Sequence, residues 1–197
     1  MILGTAARLA LGLVLALSIL PACAALLVQV WQARGPLLDP WYVLGGCSLA
    51  AALVWWKRPN MLVHTTIHEL CHVMACVLLG VRVRAFQTTD GNGGSVLHDR
   101  VDPVRTTIIA LAPYTIPLLL APVLLLHLVS SGQIAAWFAA AAGFLFIHHL
   151  HALYHNIRIN FWSGHGDLAK AGRLLSVVVI LSVLFLVMAW CVATLWA

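Results

Sequence analysis

Residues 65–79 read TTIHELCHVMACVLL, an HExxH motif inside an apolar segment of helical character. On an α-helix, residues four apart lie on the same face, so His68 and His72 can present imidazole nitrogens to one metal ion. Glu69 then lies beside the metal. Zinc accepts two neutral nitrogen ligands of this kind, and the carboxylate can take a proton from a metal-bound water. The motif therefore predicts the chemistry of zinc-dependent peptide hydrolysis.

Glu69 is the only glutamate among six acidic residues, and it lies in mid-helix among apolar neighbours. An ionisable side chain at membrane depth costs roughly 2.5–3.5 kcal/mol on insertion scales, so such a residue indicates a functional site. The alternative is a chance pattern in a chain that contains ten histidines.

The composition predicts an integral membrane protein. The 197 residues are 62% hydrophobic and 9% charged, against about 25% charged residues in an average soluble domain. The net charge is +5, but the basic residues are scattered at the ends of apolar runs, where they act as topology signals rather than as a nucleic-acid surface. The five cysteines include no CxxC pair, so no disulfide framework is expected. The lipid bilayer is the expected surrounding, and no nucleic-acid partner is expected.

Apolar runs divide the chain into about six predicted transmembrane helices. They cover residues 9–30, 41–56, 61–80, 105–129, 133–154 and 174–196. Three prolines predict a kink or break in the fourth run. Residues 81–101 alternate with period two around a glycine-rich turn, which predicts a β-hairpin with an unpaired edge. The expected fold is an all-α polytopic membrane protein with a small membrane-associated β-hairpin after the HExxH helix.

The domain organisation follows from these runs. One membrane-embedded domain, 1–197, is expected, in which 1–60 forms two accessory helices, 61–173 the catalytic core and 174–197 the last helix. With the N-terminus outside, eight Lys and Arg lie inside and three outside, so the positive-inside rule places the hairpin and the polar segment 156–173 on the cytoplasmic side. A multi-pass protein of a bacterial inner membrane, with its active site toward the cytoplasm, is expected.

A third metal ligand is needed, because a catalytic zinc normally has three protein ligands and one open position. No second glutamate exists, and position 78 is a leucine where an extended motif would carry a third histidine. Asp167 is the preferred candidate, since its polar segment enters the last membrane helix on the same predicted side. The alternative is a histidine of the fifth helix. Its members His148, His151 and His155 share one helix face and could complete this site, form a second one or line a polar cavity.

An HExxH motif in a membrane helix, a glycine-containing hairpin and an aspartate at the start of a later helix resemble the site-2 protease family of intramembrane zinc metalloproteases. The resemblance covers about residues 61–173. It implies a zinc ion held by His68, His72 and Asp167, with Glu69 as general base. The implied substrates are other membrane proteins, cleaved in or near their transmembrane segments, and the hairpin would receive the extended substrate by strand addition.

The resemblance also suggests substrate-binding residues. Gly93 and Gly94 belong to the hairpin, and Asn160 is a candidate donor to the substrate strand or the oxyanion. The family's second motif has an asparagine, prolines and then Leu-Asp-Gly. Here Asn160 is followed by FWSGHGDL, with no proline and with the glycine before Asp167.

Other histidines are candidates for contact with the ligands rather than with the metal, and His64 is alternatively a helix-end residue. His64 precedes His68 by one turn, and His165 is two residues from Asp167. His151 and His155 could reach the site from the fifth helix.

Two other functions remain open on the sequence. A membrane metal transporter or metal sensor could use the histidine-rich helices as a relay, although Glu69 is the only acid within a predicted span. A non-proteolytic relative acting as an adaptor would explain the atypical segment around Asp167. The sequence gives neither the substrate nor the oligomeric state.

Overall fold

The computed structural model describes residues 40–56, 60–89 and 93–196, together with nine isolated positions between 10 and 28. The predicted first helix, residues 9–30, lies largely outside the described residues. The continuous described segments form seven helices and one two-stranded antiparallel sheet. The predictions of a mostly helical chain and of a small β-hairpin are confirmed.

The elements follow one another along the chain as α1 (Pro40–Trp56), α2 (Met61–Leu78), β1 (Val83–Thr89), β2 (Gly93–His98), α3 (Pro103–Thr115), α4 (Leu120–Leu128), α5 (Gly132–Asn160), α6 (Asp167–Ala171) and α7 (Arg173–Trp196). Among the described residues, α2, α5 and α7 are long and apolar enough to cross a membrane. The pair α3 and α4 adds a fourth span if it crosses as one unit. Its axes differ by 69°, as the prolines of this run predict. The total of six spans stays a prediction.

Helix α2 carries the HExxH motif and has a defined signal at each end. At its start, the side chain of Asn60 accepts a hydrogen bond from the Val63 amide at 3.2 Å. At its end, Gly80 has φ +66°, a left-handed conformation that glycine adopts without steric cost. The Val81 amide then donates to the Cys76 carbonyl at 2.8 Å. These ends fix the register of the helix, and with it the face on which the motif lies.

The hairpin follows α2 directly. β1 and β2 pair antiparallel, with Thr88 opposite Gly94 and Thr89 opposite Gly93. Both glycines therefore belong to β2 rather than to the turn, because β1 continues through its threonines and pairs them with these glycines. The turn itself, residues 90–92, lies outside the described residues.

The chain divides into two compact units. The first comprises Met1–Leu13, Pro59–Ile116 and Leu153–Ile180, and within it α2 packs against both strands and against α3, which in turn contacts α6. The second comprises Val14–Arg58, Pro117–Ala152 and Leu181–Ala197. Its apolar core contains Leu120, Leu124, Ala139, Ala142, Val187, Cys191 and Leu195.

The second unit contains a very close contact between α1 and α5. A Cβ added to Gly46 would overlap the backbone carbonyl of Ala140, and one added to Gly143 would lie 3.2 Å from the Sγ of Cys47. The Cys47 thiol donates to the Gly143 carbonyl at 3.3 Å. Small residues therefore allow the two helix backbones to approach one another, as in helix pairs within membranes.

The segment between α5 and α7 differs from its predicted form. Helix α5 extends to Asn160, so Asn156 and Asn160 lie on a helix rather than in a loop. The short helix α6 was not predicted. It is anchored by Leu168 and Ala171, both fully buried, and it ends at Gly172, whose φ is +96°. Five residues are too few to show a helical periodicity, whereas the burial of Leu168 and Ala171 stabilises the helix.

Candidate metal centre

Three side chains from two distant segments converge in the first unit. His68 and His72 come from α2, and Asp167 is the first residue of α6. The Oδ2 of Asp167 lies 3.5 Å from the Nε2 of His68 and 3.4 Å from the Nε2 of His72. One donor atom from each residue lies within 4.8 Å of the other two. The predicted ligand set is therefore brought together in space.

The spacing of these donors fits a metal ion. A tetrahedral zinc with ligands at 2.0–2.2 Å separates neighbouring donor atoms by about 3.3–3.6 Å, and the two Nε2–Oδ2 distances of 3.5 and 3.4 Å lie in that range. Two imidazole nitrogens and one carboxylate oxygen form a donor set that suits zinc and leaves a fourth position open. The cluster could hold a metal ion.

His72 is oriented for coordination by a backbone contact. Its Nδ1 lies 2.7 Å from the Ile109 carbonyl of α3, which can only accept, so Nδ1 carries the proton and donates it. In the neutral ring, Nε2 then presents a lone pair to Asp167. A lone pair and a carboxylate oxygen at 3.4 Å repel one another unless a proton or a cation lies between them. The Ile109 contact thus gives His72 the orientation and the tautomer that coordination through Nε2 would require.

His68 is held by ring packing instead. Its imidazole meets the ring of His72 at 5.1 Å and that of Tyr114 at 5.9 Å, both edge to face. Its Nδ1 is buried and, among the described residues, has no hydrogen-bond partner. Tyr114 is 1% exposed, and its hydroxyl is likewise buried. Aromatic packing therefore fixes the His68 ring.

Asp167 uses its two oxygens differently. Oδ2 faces the histidines, whereas Oδ1 accepts a hydrogen bond from the Nζ of Lys170 at 3.1 Å. Burial alone would raise the pKa of Asp167, but the nearby His68, His72 and Lys170 together lower it below its ordinary value. The side chain is therefore held as a carboxylate, which is the form that binds a metal.

Glu69 lies immediately beside the ligands and is 6% exposed. The backbone of β2 approaches it so closely that a Cβ added to Gly94 would be 2.5 Å from the Cγ of Glu69 and 2.8 Å from its Oε1. Position 94 therefore has no room for a side chain, and the backbone of β2 packs directly against the side chain of Glu69.

Two cavities open onto Glu69. The first, which we call the strand-side cavity, has a volume of about 200 Å³ and is lined by Ser95, Val96 and His98 of β2 as well as by His72 and Lys170. The second, the helix-side cavity, has a volume of about 320 Å³. Both cavities are also lined by Gly94 and Asp167. The carboxylate and the metal ligand can therefore be reached from two directions.

The helix-side cavity gathers most of the predicted accessory residues. Its lining includes Asn160, Gly93 and Gly94, the three predicted substrate-binding residues. His64 also lines it and donates from Nε2 to the Oδ1 of Asn156 at 2.8 Å. The ring of His155 meets that of His64 edge to face at 4.8 Å. His64 and His155 therefore lie beside the cavity that leads to the metal ligands.

Other predicted residues lie elsewhere. Within the described part of the chain, neither His151 nor His165 lines either cavity, and His165 is exposed. The histidines of α5 form no group with metal-ligand spacing among the described residues, where the cluster found is that of His68, His72 and Asp167.

Sequence reasoning missed Lys170, Tyr114, Asn156 and the carbonyl of Ile109. Lys170 could have been found, because a lysine three residues after an aspartate can pair with it on one helical turn. No local signal marks the other three, since they reach the site only through tertiary packing.

Comparisons with protein-family models, with curated proteins and with solved structures give no match for this chain. Interpretation of the site therefore depends on its geometry and chemistry.

Proposed function

We propose that this protein is a zinc-dependent intramembrane endopeptidase of the site-2 protease type. The observation that carries the proposal is the convergence of His68, His72 and Asp167 at metal-ligand distances, beside the buried Glu69. Bound zinc would supply a water of lowered pKa and a Lewis acid for the peptide carbonyl. The chain itself supplies the ligands, a base and a surface that orients the peptide.

Glu69 is the proposed general base. It borders both cavities, so a water that enters either one meets its carboxylate. The close approach of Gly94 to Glu69 restricts the positions that the carboxylate can take. A positioned carboxylate of this kind takes up a proton during attack and returns it to the leaving amine. These features support a hydrolytic reaction at this position.

The substrate is proposed to bind as an extended strand along β2. In the described two-stranded sheet β1 occupies one edge of β2, and Ser95, Val96 and His98 line the strand-side cavity together with Glu69. A peptide that adds to the other edge gains backbone hydrogen bonds and brings a carbonyl to the carboxylate. A transmembrane helix must unwind first, because its carbonyls are otherwise engaged within the helix.

The proposed setting is a lipid bilayer. Helices α2, α5 and α7 are compatible with spanning, and the ligand-bearing helix α2 is one of them. The distribution of Lys and Arg supports a cytoplasmic position for the hairpin. The membrane is proposed to be a bacterial inner membrane. Substrates of this enzyme would be other membrane proteins.

Glu69→Gln tests the proposal. The variant, purified in detergent and loaded with zinc, should retain the metal and cleave a fluorescence-quenched single-span peptide in proteoliposomes at least about 100-fold more slowly than wild type, because the base is lost. Asp102→Asn serves as control. Asp102 caps α3 through the Val104 amide and is exposed, so its loss should leave cleavage unchanged.

Three results would overturn the proposal. Cleavage by Glu69→Gln at the wild-type rate would remove Glu69 from the chemistry. Zinc flux into liposomes that depends on Glu69, without cleavage by the wild type, would favour a metal transporter. An adaptor is favoured instead if Asp167→Ala leaves zinc content and biological effect unchanged.

A further inference from the structure

Lys170 borders the strand-side cavity, and it is neither a proposed metal ligand nor the proposed general base. We propose that Lys170 is a positioning residue, which restricts Asp167 to coordination through one oxygen and so keeps the fourth metal position open. The inference rests on the metal centre of the proposed function but not on proteolysis.

The two oxygens of Asp167 have separate partners. Oδ2 lies 3.5 and 3.4 Å from the two histidine Nε2 atoms, whereas Oδ1 lies 3.1 Å from the Nζ of Lys170. Rotation of the carboxylate toward a metal would bring Oδ1 into coordination only by breaking its charge-assisted hydrogen bond to the ammonium. Lys170 thereby opposes binding through both oxygens.

The backbone that carries this pair is fixed. Leu168 and Ala171 are fully buried, and the Ser176 hydroxyl, which is also buried, lies 3.3 Å from the Leu168 carbonyl and donates to it. Asp167 and Lys170 are three residues apart on α6, so their side chains lie on one face of this short helix. Lys170 is more than half exposed, and the carboxylate between it and the histidines is largely buried.

Coordination through one oxygen of Asp167 matters because a metal ion has few coordination positions, and one must stay free for water or substrate. With two histidines and one carboxylate oxygen, a tetrahedral ion retains one open position. A second carboxylate oxygen would occupy that position or force a five-coordinate geometry. Outer partners of this kind typically change metal affinity or activity by 10–100-fold.

Lys170 also sets the charge of the cavity. Glu69 and Asp167 are the two acids that line it, and Lys170 is the one Lys or Arg in its described lining. A divalent ion would neutralise both carboxylates, so Lys170 leaves the loaded cavity with an excess positive charge. Such a charge favours the oxygen of a peptide carbonyl as it becomes negative.

Cobalt(II) binding tests the proposal without substrate. Lys170→Met, Lys170→Arg and wild type are titrated with Co²⁺ in detergent, and the visible absorption is recorded, because four-coordinate cobalt absorbs much more strongly than five-coordinate cobalt. Lys170→Met should bind cobalt at least as tightly as wild type, because a cation beside the metal is removed and Oδ1 is free to coordinate, and its visible bands should lose intensity. Lys170→Arg, which keeps a cation beside Oδ1, should resemble wild type.

Arg158→Met is the matched control, because it removes an exposed cation of the same unit, located on α5. It should leave both the affinity and the spectrum unchanged. A Lys170→Met spectrum equal to that of wild type would overturn the proposal. Failure of the wild type to bind cobalt would overturn it together with the metal centre. Absence of peptide cleavage, with the Lys170→Met change present, would overturn the protease function and leave the role of Lys170 intact.

Discussion

The two units of the chain bury different kinds of side chain. The first unit buries Glu69 and His72 and places Asp167 against them, whereas the second buries a continuous apolar core. Yet the second unit is also rich in histidine, since His148, His149 and His151 of α5 all belong to it. Histidine content therefore does not distinguish the two units.

The difference lies in what other segments contribute. On α2, the histidines are met by a carboxylate from α6 and by a carbonyl from α3. On α5, the described structure contains no acid that completes a ligand group with the histidines. A metal centre thus depends on the arrival of a carboxylate from elsewhere in the fold, more than on the number of imidazoles in one helix.

The largest expected effect separates these two sets of histidines. His72→Ala removes a ligand and should abolish stoichiometric zinc binding, a loss beyond the roughly 10–100-fold effect of an outer partner. His148→Ala, on the half-buried part of α5, should retain one zinc per chain. Metal content measured by mass spectrometry after dialysis checks both variants. Loss of zinc in His148→Ala but not in His72→Ala would move the proposed metal site from α2 to α5.

The next effect concerns the glycine that makes room for Glu69. Gly94→Ala would place a methyl group 2.5 Å from the Cγ of Glu69, so the carboxylate must move. A displacement near 1 Å can cost about 100-fold in rate, and we expect a loss of that size in peptide cleavage with zinc retained. Gly164→Ala, with nothing within 4 Å of the added Cβ, is the control and should cleave normally. Equal rates for the two variants would contradict the close fit between β2 and Glu69.

A smaller effect is expected on stability in the second unit. Gly46→Ala would force a methyl group against the carbonyl of Ala140, and overpacking of this kind destabilises by about 1–3 kcal/mol. Gly45→Ala meets nothing within 4 Å, so it should be neutral or slightly stabilising because alanine favours a helix. Thermal unfolding in detergent compares the two. If Gly45→Ala proved the more damaging, the tight contact between α1 and α5 would be in doubt.

The smallest effect lies on the surface of the first unit. Arg84 donates to both oxygens of Asp99 at 2.6 and 3.2 Å, and this contact holds the pKa of Asp99 below its ordinary value of 3.8. Because the folded pKa is the lower one, the stabilisation is present above the ordinary pKa and is lost as the pH falls through the folded value. The contribution of this pair to the free energy of unfolding is small, because both side chains are exposed to solvent and salt screens their charges.

Arg84→Gln should therefore raise the pKa of Asp99 toward 3.8, as followed by carbon NMR of labelled aspartate. Arg105→Gln removes the cation that pairs with Asp102 instead, so the pKa of Asp99 should stay unchanged. A pKa of Asp99 that does not respond to Arg84 would show that this surface pair contributes nothing, in contrast to the buried carboxylate of the same unit.

Much of the fold could be predicted from the sequence because its signals are local. The motif helix, expected at 61–80, is observed as Met61–Leu78, and the prolines of the fourth run coincide with the break between α3 and α4. The continuation of α5 to Asn160 could not be predicted, since Asn156 is stabilised in the helix by His64, which lies 92 residues away in the chain.

The site was predictable in part for the same reason. His68, Glu69 and His72 are close in sequence, and the geometry of an α-helix alone brings their side chains close together in space. Asp167 required an argument by elimination and resemblance, and its position is set by a short helix that sequence periodicity does not indicate. The contact of Tyr114 with His68 arises from packing between distant segments, and no local sequence pattern predicts it.

The ligands also impose an order on biosynthesis. His72 and Asp167 are separated by 167 − 72 = 95 residues, and Asp167 lies after α5. A nascent chain that ends before α6 carries two histidines and Glu69 but lacks the carboxylate that completes the proposed ligand set. The ribosome must therefore synthesise α5 and the start of α6 before all three proposed ligands exist, so any metal that needs the three together can be bound only after that point.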